Sequence, residues 1–197
     1  MIRGPQPARA TQRLAWALRD DLTLREVCPT DADALATYFD QLGAESRRHF
    51  QPHPLTPAAA IQVCAAKGST TLRFVIEHAS CLVGYFIVDT VLSVHEWGRY
   101  AEQGIALVPG RDFLFAPSVH EKWQNKGVAS LAMPCILEVC RAWGARSLVL
   151  MGGTQATNTR AIAFYEKFGF TRHGGYQTDV FNHDMRLLLG SLAHDYS

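Results

Sequence analysis

Apolar residues recur with a helical period in two stretches of the chain and with strand-like patterning around them. Val128, Leu131, Ala132, Cys135, Ile136, Val139, Cys140 and Trp143 fall on one face of a helix, which must therefore pack on a core. Ser147–Met151 is a short apolar run of buried-strand length, and Asp112–Val119 is another before the helix. Strand, helix and strand then predict a βαβ unit with a right-handed crossover. A second helix follows Asn158, with Ala161, Phe164, Tyr165 and Phe168 on one face and Gly169 in the C′ position that ends it.

The remaining elements follow from alternation and stop signals. Leu22–Val27 reads as a strand. Thr30 and Asp33 read as a capping box for a helix carrying Leu35, Tyr38, Phe39 and Leu42, stopped at Gly43. A helical turn covers 45–50, and Thr56 with Pro57 opens a helix that ends at Gly68. Thr71–Glu77 and Cys81–Asp89 are strands around a His78-Ala79-Ser80 turn; Phe170–Tyr176 and Val180–Leu188 are the last two. Val91–Gly110 is irregular and carries His95, Glu96, Trp97, Arg99, Tyr100 and Glu102, either recognition surface or a strand extension with solvated charges. Pro134 inside the long helix removes one N–H and crowds the carbonyl of Ser130, so a kink is expected there. The organisation is an N-terminal extension over 1–21, one domain over 22–189 and a tail over 190–197. Within the extension, Leu14–Leu18 could pack as a short element.

Composition narrows the class. With 197 residues and 48% hydrophobic content the chain can bury one full core. Net charge is +1, which provides no global field for nucleic acid or an anionic membrane. Five cysteines without Cys-x-x-Cys spacing read as buried free thiols in a reducing compartment. No signal peptide and no run near the ~20 apolar residues of a membrane helix is visible, so a cytoplasmic protein is expected. His120-Glu121 and His95-Glu96 lack the second histidine of a His-Glu-x-x-His helix, and no metal site is expected. Dinucleotide and nucleotide-triphosphate glycine motifs are likewise missing.

The chemistry concentrates after the first strand of the βαβ unit. Val119-His120-Glu121-Lys122-Trp123-Gln124-Asn125-Lys126-Gly127-Val128-Ala129 crosses a polar turn into a helix, an arrangement that offers unpaired N–H groups and a positive dipole end to a phosphate. Gly127 suits close approach of backbone to a ligand. On these residues alone the segment can equally be a plain turn. Together, Gln124-x-x-Gly127-x-Ala129 and Asn158-Thr159-Arg160-Ala161-Ile162-Ala163-Phe164-Tyr165-Glu166-Lys167-Phe168-Gly169-Phe170 resemble the two core motifs of the GCN5-related N-acetyltransferase (GNAT) family.

The resemblance implies an α/β (α+β) acyl-CoA N-acyltransferase fold, a mixed and mostly antiparallel sheet of six to seven strands flanked by helices. It implies acetyl-CoA as co-substrate and transfer of acetyl to a primary amine, of a small molecule or a protein, by direct attack in a ternary complex. Pro117, Ser118 and Val119 would pair with the pantetheine arm, the Val119 N–H polarising the thioester. Gln124, Asn125, Lys126, Gly127, Val128, Ala129 and Ser130 would hold the pyrophosphate, although Lys126 can also be a solvated lysine. Asn158 would contact the amide arm and Tyr165 would protonate the departing thiolate; the alternatives are a plain N-cap and a core aromatic. The general base has no clear match. Gly153 stands where some members carry a glutamate, and Leu114 stands where others carry an acid, with Asp112 one pleat earlier on the same face. Asp112 is the candidate taken forward, beside His120, Glu121 and a water chain. A homodimer is open, and the rival reading is a non-catalytic acyl-CoA-binding sensor or interaction module.

Overall fold

The computed structural model describes residues 14–19, 21–66 and 70–190. Two compact units emerge, one of residues up to Asp89 with Phe115–Cys135, the other of Thr90–Leu114 with residues from Ile136 on. In the first, β1 (Ala15–Arg19), β2 (Leu22–Glu26), β3 (Thr71–His78) and β4 (Cys81–Asp89) form an antiparallel meander, with Leu24 opposite Ile76 and Phe74 opposite Phe86. Ala79 and Ser80 both take positive φ, 45° and 64°, the geometry of a tight hairpin that matches strand twist even without glycine. β1 lies inside the stretch expected to be a polar extension, and it pairs because Leu24 and Arg25 offer it an open edge. Residues 1–13, the expected helix end at Gly68 and the tail after Gly190 lie outside the described residues.

Next on β4 comes β5 (Asp112–Val119). The His120 N–H donates to the Val83 carbonyl at 3.0 Å, and Phe115 stacks on Phe86. As β4 advances its neighbour retreats, so the two strands are antiparallel. Leu24, Phe74, Ile76, Phe86 and Phe115 form the buried centre of this unit. Over it lie α1 (Ala32–Gln41), which buries Leu35, Tyr38 and Phe39, then α2 (Ala44–His49) and α3 (Pro57–Ala65). The cap of α1 differs from the expected Thr30–Asp33 box. Asp31 accepts from the Cys28 N–H at 2.7 Å and from the Arg25 fork at 2.8 and 2.9 Å, so a 3-10 turn over Pro29–Asp31 precedes the helix. Gly43 does not close α1 in a left-handed conformation. It leads into α2 with φ −69°, and Leu42 ends α1. The Thr56 hydroxyl does cap α3, accepting from the Ala59 N–H at 3.2 Å.

In the second unit the segment expected to be irregular contains α4 (Val94–Glu102). Ser93 and Glu96 form a reciprocal cap: the serine hydroxyl accepts the Glu96 N–H and also donates to its carboxylate. α5 (Val128–Ala142) leads from the first unit into β6 (Ser147–Leu150), and Pro134 lies within the helix. The Arg111 carbonyl accepts from the N–H groups of Arg146 and Ser147, so β5 and β6 start side by side, as strands joined by a helical crossover must. β6, the two-residue β7 (Thr154–Gln155) and β8 (Thr171–Gln177) all pair antiparallel with β9 (Phe181–Leu188). α6 (Thr159–Lys167) ends as expected. The Gly169 N–H reaches Glu166 and the Phe170 N–H reaches Tyr165, with Gly169 at φ 88°. Among the described residues there are nine strands, β1 and β7 being additions to the sequence expectation. Not every cysteine is buried: all five are free thiols, but Cys81 is exposed at the head of β4 and Cys135 is half-buried.

Candidate functional site

The last residues of β5 are half-buried Pro117, Ser118 and Val119, and the chain then turns over Glu121–Trp123. Gln124 closes the turn: its amide donates to the Val119 carbonyl at 2.8 Å and to the Ser46 hydroxyl at 3.3 Å, pinning the strand end to α2. Asn125 and Gly127 take positive φ, 59° and 78°. The Gly127 carbonyl receives the Leu131 N–H, which makes Gly127 the residue before the first turn of α5. Asn125, Lys126 and Gly127 are exposed while Val128 is buried, so an anchored helix presents its N-terminal backbone to solvent. A Cβ on Gly127 would meet nothing within 4 Å. This is a cradle with room for a phosphate, and its donors and dipole suit a polyanion. The Lys126 ammonium lies 5.3 Å from the Trp123 ring centroid, which fixes its stem beside the turn.

Helix α1 is tied to the same strand end. Tyr38 and Ser118 share a hydroxyl–hydroxyl hydrogen bond of 2.9 Å, and the Gly43 N–H donates to Glu121 Oε1 at 2.9 Å. Burial alone would raise the Glu121 carboxyl. Hydrogen bonds from Ser46, its own N–H and Gly43 outweigh that and hold it below the usual carboxylate range. His120 Nδ1 accepts the Lys122 N–H at 3.1 Å. Both side chains are thus engaged in shaping the turn. In the same unit His53 sits among the rings of Phe39, Phe50 and Tyr85, with its Nε2 3.2 Å from the Tyr85 hydroxyl. Sequence spacing held no signal for this cluster, whose members lie on three separate elements.

In the other unit, Gly152 and Gly153 follow β6, both with φ 71°. A Cβ on Gly153 would come within 2.8 Å of the His183 carbonyl oxygen, so the position expected to match a glutamate in some family members is reserved for glycine by packing. Asn158 is an N-cap whose Oδ1 accepts the Ala161 N–H at 3.2 Å. Tyr165 is 7% exposed, packs on Phe164 and Phe170, and its hydroxyl is hydrogen-bonded to the Thr154 side chain. Burial pushes its phenol well above the ordinary value, so it stays protonated. Behind this lies a buried polar group: Arg99 pairs with Asp184 at 3.0 Å and stacks 4.1 Å over Tyr176, while Glu96 accepts the Gly152 N–H at 2.9 Å.

Asp112 does not present a base. It is fully buried, and its oxygens accept from Arg146, Arg186, the Ser147 hydroxyl and the Val108 N–H. Burial would raise its carboxyl, but these partners hold it below the usual range. A carboxylate so occupied is a poor proton acceptor, and it stands at the opposite end of β5 from Val119, roughly 23 Å along an extended strand. Tyr100, expected on a recognition surface, is fully buried and donates to the Met185 carbonyl at 2.9 Å; Trp97 is 51% exposed. Among the described residues no cluster of three or more His, Cys, Asp or Glu is arranged for a metal, and no helix is long and apolar enough to cross a membrane.

Solved structures share this fold. The GNAT domain of S. lividans PAT superposes with a TM-score of 0.69 at 19% identity, covering 90% of this chain and 97% of that one. The ribosomal-protein-S5-alanine acetyltransferase from Vibrio fischeri gives 0.71 at 12% identity, covering 89% and 96%. The structure of yncA from Salmonella typhimurium with its cofactor acetyl-CoA gives 0.63 at 17% identity, covering 88% and 97%. No curated relative matches the sequence. The profile described as "Acetyltransferase (GNAT) family" matches residues 41–170, more than half of the chain and both motifs within it, and the chain belongs to that family.

Proposed function

We propose that the protein is an acetyl-CoA-dependent N-acetyltransferase that carries acetyl to a primary amine, of a small molecule or a protein, by direct attack in a ternary complex. The observation that carries the reading is the exposed turn Gln124–Gly127 at the head of α5, with two left-handed residues, open space at Gly127 and a side-chain clamp on the Val119 carbonyl. Acetyl-CoA supplies the activated acyl group, and the chain supplies binding and proton transfer.

In this reading Pro117, Ser118 and Val119 pair with the pantetheine arm and the Val119 N–H polarises the thioester carbonyl, while Gln124 holds the Val119 carbonyl that leads into the turn. Backbone from Gln124 through Asn125, Lys126, Gly127, Val128 and Ala129 to Ser130 holds the pyrophosphate. Asn158 serves the amide arm. Tyr165 gives its proton to the departing thiolate, a role that suits a phenol kept protonated by burial and oriented by Thr154. Asp112 has a structural role.

The test is thiol release from acetyl-CoA with a panel of amines, beside calorimetric titration of acetyl-CoA. Because structural relatives include ribosomal-protein-alanine acetyltransferases, peptides with N-terminal alanine belong in the panel with lysine peptides and polyamines. Turnover with one amine class supports the enzyme. Tight binding without turnover across the panel would favour the sensor, and no binding of acetyl-CoA would refute both readings.

A further inference from the structure

His53 belongs to the loop between α2 and α3, and its two ring nitrogens have different neighbours. Nδ1 lies 2.8 Å from the Pro54 carbonyl, which can only accept, so Nδ1 carries the proton. Nε2 is then the lone-pair nitrogen and receives the Tyr85 hydroxyl at 3.2 Å. Arg73 on β3 hydrogen-bonds to the same hydroxyl; a guanidinium can only donate, so the phenol proton is directed at His53. The imidazole is held by ring contacts to Phe50 at 5.0 Å, Phe39 at 5.4 Å and Tyr85 at 5.8 Å between centroids.

This cluster sits at the end of β5 that matters. With Val83 bonded to His120 in an antiparallel pair, Tyr85 comes opposite Ser118, one residue from Val119. Tyr38, the neighbour of Phe39 on α1, is bonded to Ser118 itself. Among the other groups at this strand end that could take a proton, His120 and Glu121 are engaged by backbone N–H donors. Nε2 of His53 has only a long bond from a neutral hydroxyl, which a stronger donor can replace.

We propose that His53 Nε2 takes the proton of the acceptor amine, with Tyr85 and Arg73 as positioning residues; this rests on the acetyltransferase reading. The amine lone pair forms the C–N bond to the acyl carbon, and the C–S bond breaks with its electron pair on sulfur. The N–H bond breaks and its proton goes to Nε2, leaving an imidazolium whose Nδ1–H remains on the Pro54 carbonyl. The surroundings keep the resting ring neutral: burial lowers its pKa, Arg73 lowers it further, and the Pro54 carbonyl opposes them only in part. The ionisable groups around the His53–Tyr85 pair are Arg73 from β3, Cys64 from α3, pushed up to about 11 by burial and hence a thiol, and the Tyr38 phenol from α1, which burial keeps protonated; α1 also contributes the Phe39 ring.

The experiment measures thiol release against pH for wild type, His53→Gln and Tyr85→Phe, with the panel amine that wild type turns over fastest. Acetyl-CoA is titrated into all three. His53→Gln should lose about 10²-fold or more in kcat and lose the acid limb of the kcat/KM profile, with acetyl-CoA affinity unchanged. Tyr85→Phe should retain turnover with the acid limb moved to higher pH, because the removed hydroxyl favours the neutral ring. A His53→Gln enzyme with wild-type rate and acid limb overturns the proposal. So does loss of acetyl-CoA binding in step with rate, which would make the residue structural, or an unmoved limb in Tyr85→Phe. Wild type that fails to bind acetyl-CoA sinks the acetyltransferase reading itself, and binding without turnover of any panel amine overturns the proton acceptor and the enzyme together.

Discussion

Replacing Gly127 by valine isolates the phosphate turn. The new Cβ would meet nothing within 4 Å, so the cost in the free protein is confined to backbone strain at φ 78°. Left-handed backbone costs a side-chain-bearing residue about 1–2 kcal/mol, and a β-branched one somewhat more. Against a native stability of about 5–15 kcal/mol the variant stays folded, whether it tolerates the strain or rotates the turn to relieve it. Rotation would turn away the N–H groups assigned to the pyrophosphate, and retention would place an isopropyl group where the phosphates approach. Either way acetyl-CoA binding is lost. Gly110 is the control, because it has φ 72°, is exposed, and its Cβ would also meet nothing within 4 Å. Gly110→Val should therefore lower stability by a similar amount and leave the cofactor alone. The assay is calorimetric titration with acetyl-CoA plus thermal melts with and without it. At 100 times the dissociation constant, wild type and Gly110→Val should gain about 2.7 kcal/mol, roughly 5–10 °C for a chain this long, and Gly127→Val should gain nothing. Equal acetyl-CoA affinity in Gly127→Val would refute the pyrophosphate assignment.

Three further expectations concern separate parts of the molecule. Tyr165→Phe should lower kcat about 10²-fold or more at nearly constant acetyl-CoA affinity, losing only about 1 kcal/mol of stability with the Thr154 hydrogen bond; wild-type turnover would remove Tyr165 from the chemistry. Trp97→Ala should change the acceptor KM without changing cofactor affinity, whereas Tyr100→Ala should cost about 3–5 kcal/mol in urea unfolding because it empties a buried site; the reverse pattern would contradict the placement of α4. Asp112→Asn should cost about 3 kcal/mol at neutral pH by leaving the largely buried Arg186 charge without its ion-pair partner. Because the folded Asp112 carboxyl lies below its unfolded value, its contribution is full above about pH 4 and disappears as pH falls through the folded pKa, so urea unfolding of the variant should show a shallower acid dependence than wild type; parallel curves would show that Asp112 is not the linked group.

Legibility differed from place to place for physical reasons. α5 and α6 could be read because a long amphipathic period survives any tertiary context, and the Gly169 stop depends on backbone geometry alone. α4 was missed although its Ser93–Glu96 cap is written in the chain, because its apolar face is narrow: Tyr100 is buried while Val94 and Trp97 face solvent. β1 could not be derived from Ala15–Arg19, since a strand of that length forms only where an edge awaits it. Asp112 has the sequence signature of a catalytic acid and of a structural anion alike; Arg146 and Arg186, far along the chain, decide between them.

By itself the sequence determined the order of the principal elements, the polar glycine-containing turn at the head of α5 and the family motifs, all of which rest on spacing within short segments and on the stereochemistry of glycine, caps and helical period. Tertiary structure decided what has no local signature: which carboxylates are already engaged, that Gly153 must be glycine because the His183 carbonyl lies against it, and that His53 meets Tyr85 and Arg73. The protonation state of a side chain depends on burial and on partners brought from distant segments, and only the folded chain sets those.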